Sequence, residues 1–133
     1  MASERLVFVN LPVRDLERSM RFFRALGFEF NPQFTDEKAA CMVLSDKGYV
    51  MLLTEPFFAT FTTKKVADAS STTECTVAIS ATSREEVDAL VGKALELEAS
   101  EVGEARDYGF MYQRSFYDLD GHLWEVLYMQ PGA

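Results

Sequence analysis

Residues 6–13 are a predominantly apolar, β-branched run that reads as a strand, apolar residues recur at helical spacing at Leu16, Met20, Phe23 and Leu26, and apolar and polar residues alternate beyond Gly27. Asp15 stands where an N-cap is needed, and Gly27 where a helix stops. Residues 28–34, 39–44 and 49–54 read as strands, the last two joined through Asp46, Lys47 and Gly48. The order is strand, helix, strand, strand, strand. It begins again with a strand over 74–81, a capping box at Ser83 to Glu86, and a helix whose inward stripe is Val87, Leu90, Val91, Ala94 and Leu95. Residues 98–107 hold a loop and a short strand, and residues 110–117 and 122–129 form a closing hairpin. The pattern predicts an α+β chain of two βαβββ modules, residues 5–54 and 73–130, joined by a linker over 55–72. Within the linker, Pro56 and the cluster Phe57, Phe58 and Phe61 suit a short helix packed on a sheet edge better than a lid.

The closing hairpin carries the most specific signal. Asp118, Asp120 and Gly121 have the composition of a turn, and the strand after it sets one carboxylate, Glu125, into an otherwise apolar run. A four-residue loop over 118–121 would seat Tyr117 across from His122 and Arg114 across from Glu125, so the acid is expected to find its counter-charge on the neighbouring strand. Superposing the halves by their N-caps (Asp15 on Ser83) and hairpin glycines (Gly48 on Gly121) sorts the strand residues by face. Phe8, Asn10, Cys41, Leu52, Thr54, Thr76, Ala78, Tyr112, Arg114, Glu125 and Leu127 form the expected ligand-binding face. Val7, Val9, Met51, Val77, Ile79, Trp124 and Val126 are expected under the helices. His122 adjoins the turn and has the opposite parity from Glu125, which makes it a structural residue rather than a metal ligand.

Charge and composition narrow the function. With 133 residues, 48% hydrophobic and 26% charged, the chain suits one globular domain. A net charge of -8 argues against nucleic acid and anionic membranes as partners and favours a cationic small ligand. No apolar run reaches spanning length, and the short polar start does not read as a targeting segment, so a cytoplasmic location is expected. Cys41 and Cys75 lack any metal or redox spacing and are expected to be reduced.

The tandem βαβββ plan, the Val-x-Asp-Leu helix entry at Val13 to Leu16, the Leu-Gly-Phe at Leu26 to Phe28, and the Asp-x-Asp-Gly-x-x-x-Glu at Asp118 to Glu125 together resemble the vicinal oxygen chelate superfamily. Glyoxalases, extradiol dioxygenases, fosfomycin-modifying enzymes and bleomycin-resistance proteins belong to it. The resemblance implies curved mixed sheets enclosing a pocket, often in a homodimer. It also implies a divalent metal in many members, held from the first and last strand of each module. Those positions fall on Phe8, Thr76, Leu52 and Glu125, and only Glu125 is a good ligand for a hard cation. The expectation is therefore a homodimeric protein that binds a small apolar or cationic molecule in an apolar-walled pocket between the modules, with no cofactor and no complete metal site. The alternative is a lyase, isomerase or dioxygenase-type enzyme using Glu125 as a metal ligand or as general acid or base.

Overall fold

The computed structural model describes residues 4–132, so the N-terminal end read above lies partly outside the described residues. The chain divides between Val66 and Ala67 into two compact units. Each is built on a curved mixed sheet. Among the described residues no helix is long and apolar enough to cross a membrane.

The first unit contains β1 (Val7–Val13), α1 (Leu16–Ala25), β2 (Glu29–Asn31), β3 (Ala39–Val43), β4 (Gly48–Thr54) and α2 (Glu55–Ala59). Its sheet order is β1-β4-β3-β2, with β1 parallel to β4 and the other pairs antiparallel. Asp15 caps α1 by accepting a hydrogen bond from the Arg18 N–H at 3.1 Å. Leu16, Met20, Phe22 and Phe23 of that helix are buried together with Leu11, Val13, Ala40, Met42, Val50 and Leu52. Burial of each large side chain stabilises the unit by roughly 1.5 to 3 kcal/mol, before the entropy of ordering it is set against that gain. The strand expected over 28–34 stops at Asn31. Pro32 opens a 3-10 turn in its place, because it has no N–H for the ladder, and the Asn31 side chain accepts from the Gln33 N–H at 3.0 Å. The Phe-rich linker starts as α2, which packs on β1 and β4, and Phe57 meets Phe61 edge to face at 5.1 Å.

Registers in this unit correct the expected faces. Met51 pairs with Asn10 and Cys41, whereas Leu52 pairs with Leu11 and Ala40 in the fully buried layer. Leu52 and Thr54 therefore lie on the face opposite Phe8 and Asn10. The cause is in the hairpins: residues 44–48 lie between the closing pair Val43 and Tyr49, as residues 118–122 lie between Tyr117 and Leu123. Gly48 is last in its loop and Gly121 last but one. Superposing the glycines therefore slips the strand by one residue, and a one-residue slip exchanges its faces.

The second unit contains β5 (Thr76–Ser80), α3 (Arg84–Glu96), β6 (Ser100–Glu101), β7 (Arg106–Asp107), β8 (Met111–Tyr117) and β9 (Leu123–Met129). Its sheet runs β5-β9-β8-β6, with β7 pairing along β8 as well. Ser83 accepts from the Glu86 N–H at 3.1 Å, and the Glu86 carboxylate reaches back to the N–H of Thr82 at 3.0 Å, one residue earlier than in the usual capping box. α3 packs on β8 and β9, burying Val87, Val91 and Ala94 with Val77, Phe116, Trp124 and Val126. The rings of Phe116 and Trp124 lie nearly parallel, 6.4 Å apart.

Asp118 organises the β8–β9 loop. One carboxylate oxygen accepts from the N–H groups of Asp120 and His122, at 2.9 and 3.0 Å, and the other from the Trp124 indole at 2.9 Å. Burial pushes this carboxyl up, while His122 and the indole N–H pull it back. Gly121 has φ +93°, and a Cβ there would sit 2.6 Å from the Ala69 carbonyl oxygen, so the loop closes against the backbone at 69–70 only with glycine.

Candidate functional site

The five-residue loop decides what surrounds Glu125. Tyr117 pairs with Leu123, Ser115 with Glu125 and Arg114 with Val126. The expected Arg114–Glu125 pair therefore does not form. Arg114 lies on the helix side, where its guanidinium meets Asp88 of α3 at 3.2 Å and the Tyr112 hydroxyl donates to the same carboxylate at 2.6 Å. In place of Arg114, Glu125 has an amide: Gln113 Nε2 donates to Glu125 Oε2 at 2.9 Å.

Gln113, Ser115, Leu123 and Glu125 form the floor of a cleft of about 570 Å³, and residues 102–106 form its wall. That wall brings in Glu104 and Arg106, the latter paired with Gln113 in the β7–β8 ladder. Parallel pairing of Ala78 with Glu125 and Thr76 with Leu123 puts β5 on the same face of the sheet, and Leu127 continues that face along β9. A guanidinium, two carboxylates, an amide and a hydroxyl thus border one concavity, a more polar lining than the largely apolar one of most small-molecule pockets and one that suits a charged ligand rather than an apolar one.

Of the residues expected on the binding face, Thr76, Ala78, Glu125 and Leu127 share the cleft side of the second sheet, while Tyr112 and Arg114 point the other way. In the first unit Phe8 and Asn10 share a face with Tyr49 and Met51, and the half-exposed Phe8 ring stacks on Tyr49 at 5.0 Å. Cys41 lies on that face by register but is buried, and burial pushes its thiol up. Sequence reasoning missed Gln113 and Ser115, which a count of five loop residues would have found. It also missed Glu104 and Arg106, which stand in a loop and a two-residue strand without periodicity.

The donor set can be tested for a divalent metal. β5 places Thr76 and Ala78 on the face of Glu125, and in the first unit β1 places Phe8 and Asn10 on the face of Met51, which, rather than Leu52, stands where the second unit has Glu125. A methyl group donates nothing, and a thioether suits soft ions rather than magnesium, manganese or zinc held by oxygen and nitrogen. Among the described residues no three His, Cys, Asp or Glu side chains converge as such an ion requires.

A family model described as "Bleomycin resistance protein-like N-terminal" matches residues 5–45. A solved structure of a hypothetical protein from S. aureus is 30% identical, with 92% of each chain covered and a TM-score of 0.78. A glyoxalase/bleomycin resistance protein/dioxygenase family enzyme from Burkholderia phytofirmans superposes over 94% of this chain and 98% of its own, at 16% identity and a TM-score of 0.77. The fosfomycin resistance protein FosX from Listeria monocytogenes covers 98% and 97% at 21% identity, with a TM-score of 0.68. No curated protein matches the sequence.

Proposed function

Because this chain belongs to the vicinal oxygen chelate superfamily, the glyoxalase/bleomycin resistance/dioxygenase group, we propose that it binds a small molecule in the cleft at Glu125 and does so without a complete metal site. The observation that carries the reading is the Glu125 carboxylate, seated on the cleft floor and held by the Gln113 amide at 2.9 Å. A carboxylate oriented by a neutral donor keeps its charge for a ligand, whereas one paired with an arginine would spend it within the protein. In the second unit Thr76 and Ala78 are the β5 residues on the face of Glu125, and neither a hydroxyl nor a methyl group completes a site for a divalent ion there. We extend the reading to a homodimer, as the superfamily resemblance implies, and to a cytoplasmic location, as the sequence pattern leads one to expect.

Calorimetric titration with manganese and zinc, and native mass spectrometry of the purified protein, test this function. Neither ion is expected to bind stoichiometrically, and a small organic molecule is expected to be retained by the parent and lost from Glu125→Gln. One equivalent of metal per chain, lost in the same variant, would overturn the metal-free reading in favour of the enzyme alternative. Sedimentation velocity at tens of micromolar tests the dimer, and a single monomeric species would refute it.

A further inference from the structure

We infer that the ligand of the Glu125 cleft is a compact basic zwitterion of the amino-acid type, its carboxylate on Arg106 and its cationic groups on Glu125 and Glu104; this rests on the cleft reading above. Three charged side chains border the concavity, and among the described residues Arg106 enters no ion pair although both acids line the same cleft. The sheet explains the separation. Arg106 is opposite Gln113 on β8, Gln113 is opposite Leu127 on β9, and Glu125 lies two residues back along β9. Two strand spacings and two residue rises separate the Arg106 and Glu125 backbones by roughly 12 Å. The gap between the charged ends of the two side chains is what a small ligand with charges at both ends would bridge.

The polar groups between them fit the same ligand. Gln113 gives an N–H to Glu125, which leaves its carbonyl oxygen as an acceptor for an ammonium, and Ser115, paired with Glu125 across the ladder, supplies a hydroxyl. Arginine offers a carboxylate two parallel N–H bonds, a geometry that a lysine there would not provide. Two acids against one guanidinium leave the cleft one negative charge in excess, so the complementary ligand carries one anionic and two cationic groups. A purely cationic ligand would leave Arg106 unmatched, and a purely anionic one would meet two carboxylates.

The test uses lysine and two relatives that each lack one charge: cadaverine, without the carboxylate, and norleucine, without the side-chain ammonium. Binding to the intact chain is followed by calorimetry and by NMR shifts of the Gln113 side-chain amide. Lysine is expected to bind about tenfold or more tightly than either relative, as the loss of one charge-assisted contact predicts. Arg106→Gln should weaken lysine to the level of cadaverine while binding cadaverine at least as tightly as the parent does, and Glu104→Gln should weaken lysine towards norleucine. Ser115→Phe, which fills the cleft floor, should abolish all three interactions. Cadaverine binding as tightly as lysine, or an Arg106→Gln protein indistinguishable from the parent, overturns the zwitterion while leaving a cleft ligand in place. Lysine binding undiminished in Ser115→Phe, or no binding of any of the three, also overturns it. In the latter case the organic molecule sought by mass spectrometry decides separately whether the cleft binds anything.

Discussion

Glu125 faces Ser115 across the β8–β9 ladder and takes its hydrogen bond from Gln113, while Arg114, one residue away in sequence, is turned to the opposite side of the sheet and paired with Asp88. An acid held by a neutral amide in an open cleft contributes differently from one in a buried ion pair. Glu125→Gln should therefore change stability at neutral pH by no more than about 1 kcal/mol, the scale of one net hydrogen bond. Urea denaturation of the parent and the variant checks this. A loss of roughly 3 to 5 kcal/mol, typical of a broken buried pair, would mean that Glu125 is paired with a charge after all.

The Arg114–Asp88 contact should be worth little by itself, since Asp88 is half exposed. A double-mutant cycle with Arg114→Ala and Asp88→Ala is expected to give a coupling below about 1 kcal/mol. Asp88→Ala alone should cost more than Arg114→Ala, because it also removes the acceptor of the Tyr112 hydroxyl.

Asp118 is the contrasting case, a buried carboxylate that satisfies three N–H donors. Asp118→Ala strands those donors and should cost roughly 2 to 4 kcal/mol. Trp124, the single tryptophan, loses its partner at the same time, so its fluorescence should shift even where the variant remains folded. An unchanged spectrum with parent-like stability would refute the role of Asp118.

Gly121→Ala should destabilise by roughly 1 to 3 kcal/mol, through the positive φ and the approach of the Ala69 carbonyl. Gly92→Ala is the control. It lies within α3 with open space at its Cβ position, and should stabilise by up to about 1 kcal/mol. Thermal denaturation of the two variants should move in opposite directions.

Arg84 holds the Asp107 carboxyl at about 2, chiefly through their hydrogen bonds at 2.8 and 3.1 Å. A depressed folded value means that the stabilisation is complete above the unfolded carboxylate range near pH 4 and is lost as pH falls towards 2. Denaturation midpoints of the parent should thus fall more steeply below pH 4 than those of Asp107→Asn. Parallel slopes would show that the pair makes no contribution in solution.

How much of this was legible beforehand depended on whether the signal was local. Asp15 and Ser83 marked both helix starts, and the stripe of Val87, Val91 and Ala94 marked the buried side of α3, because capping and helical periodicity act within a few residues. Val77, Trp124 and Val126 are in the core where alternation placed them. The tandem plan and the isolation of Glu125 among apolar neighbours were likewise written in the chain. The partner of Glu125 was not. One residue in the loop at 118–122 decides whether Arg114 or Gln113 shares its face, and turn composition alone does not fix that count, because Asp118 closes the loop through contacts with His122 and Trp124. The cleft wall was hidden for a related reason. Glu104 and Arg106 stand in a stretch without periodicity, and Arg106 reaches the site because β7, a strand of two residues and too short to show alternation, turns back through residues 108–110 to pair with β8. Sequence by itself determined the elements and the inward faces of the helices; strand register, settled by tertiary pairing, decided which polar groups meet.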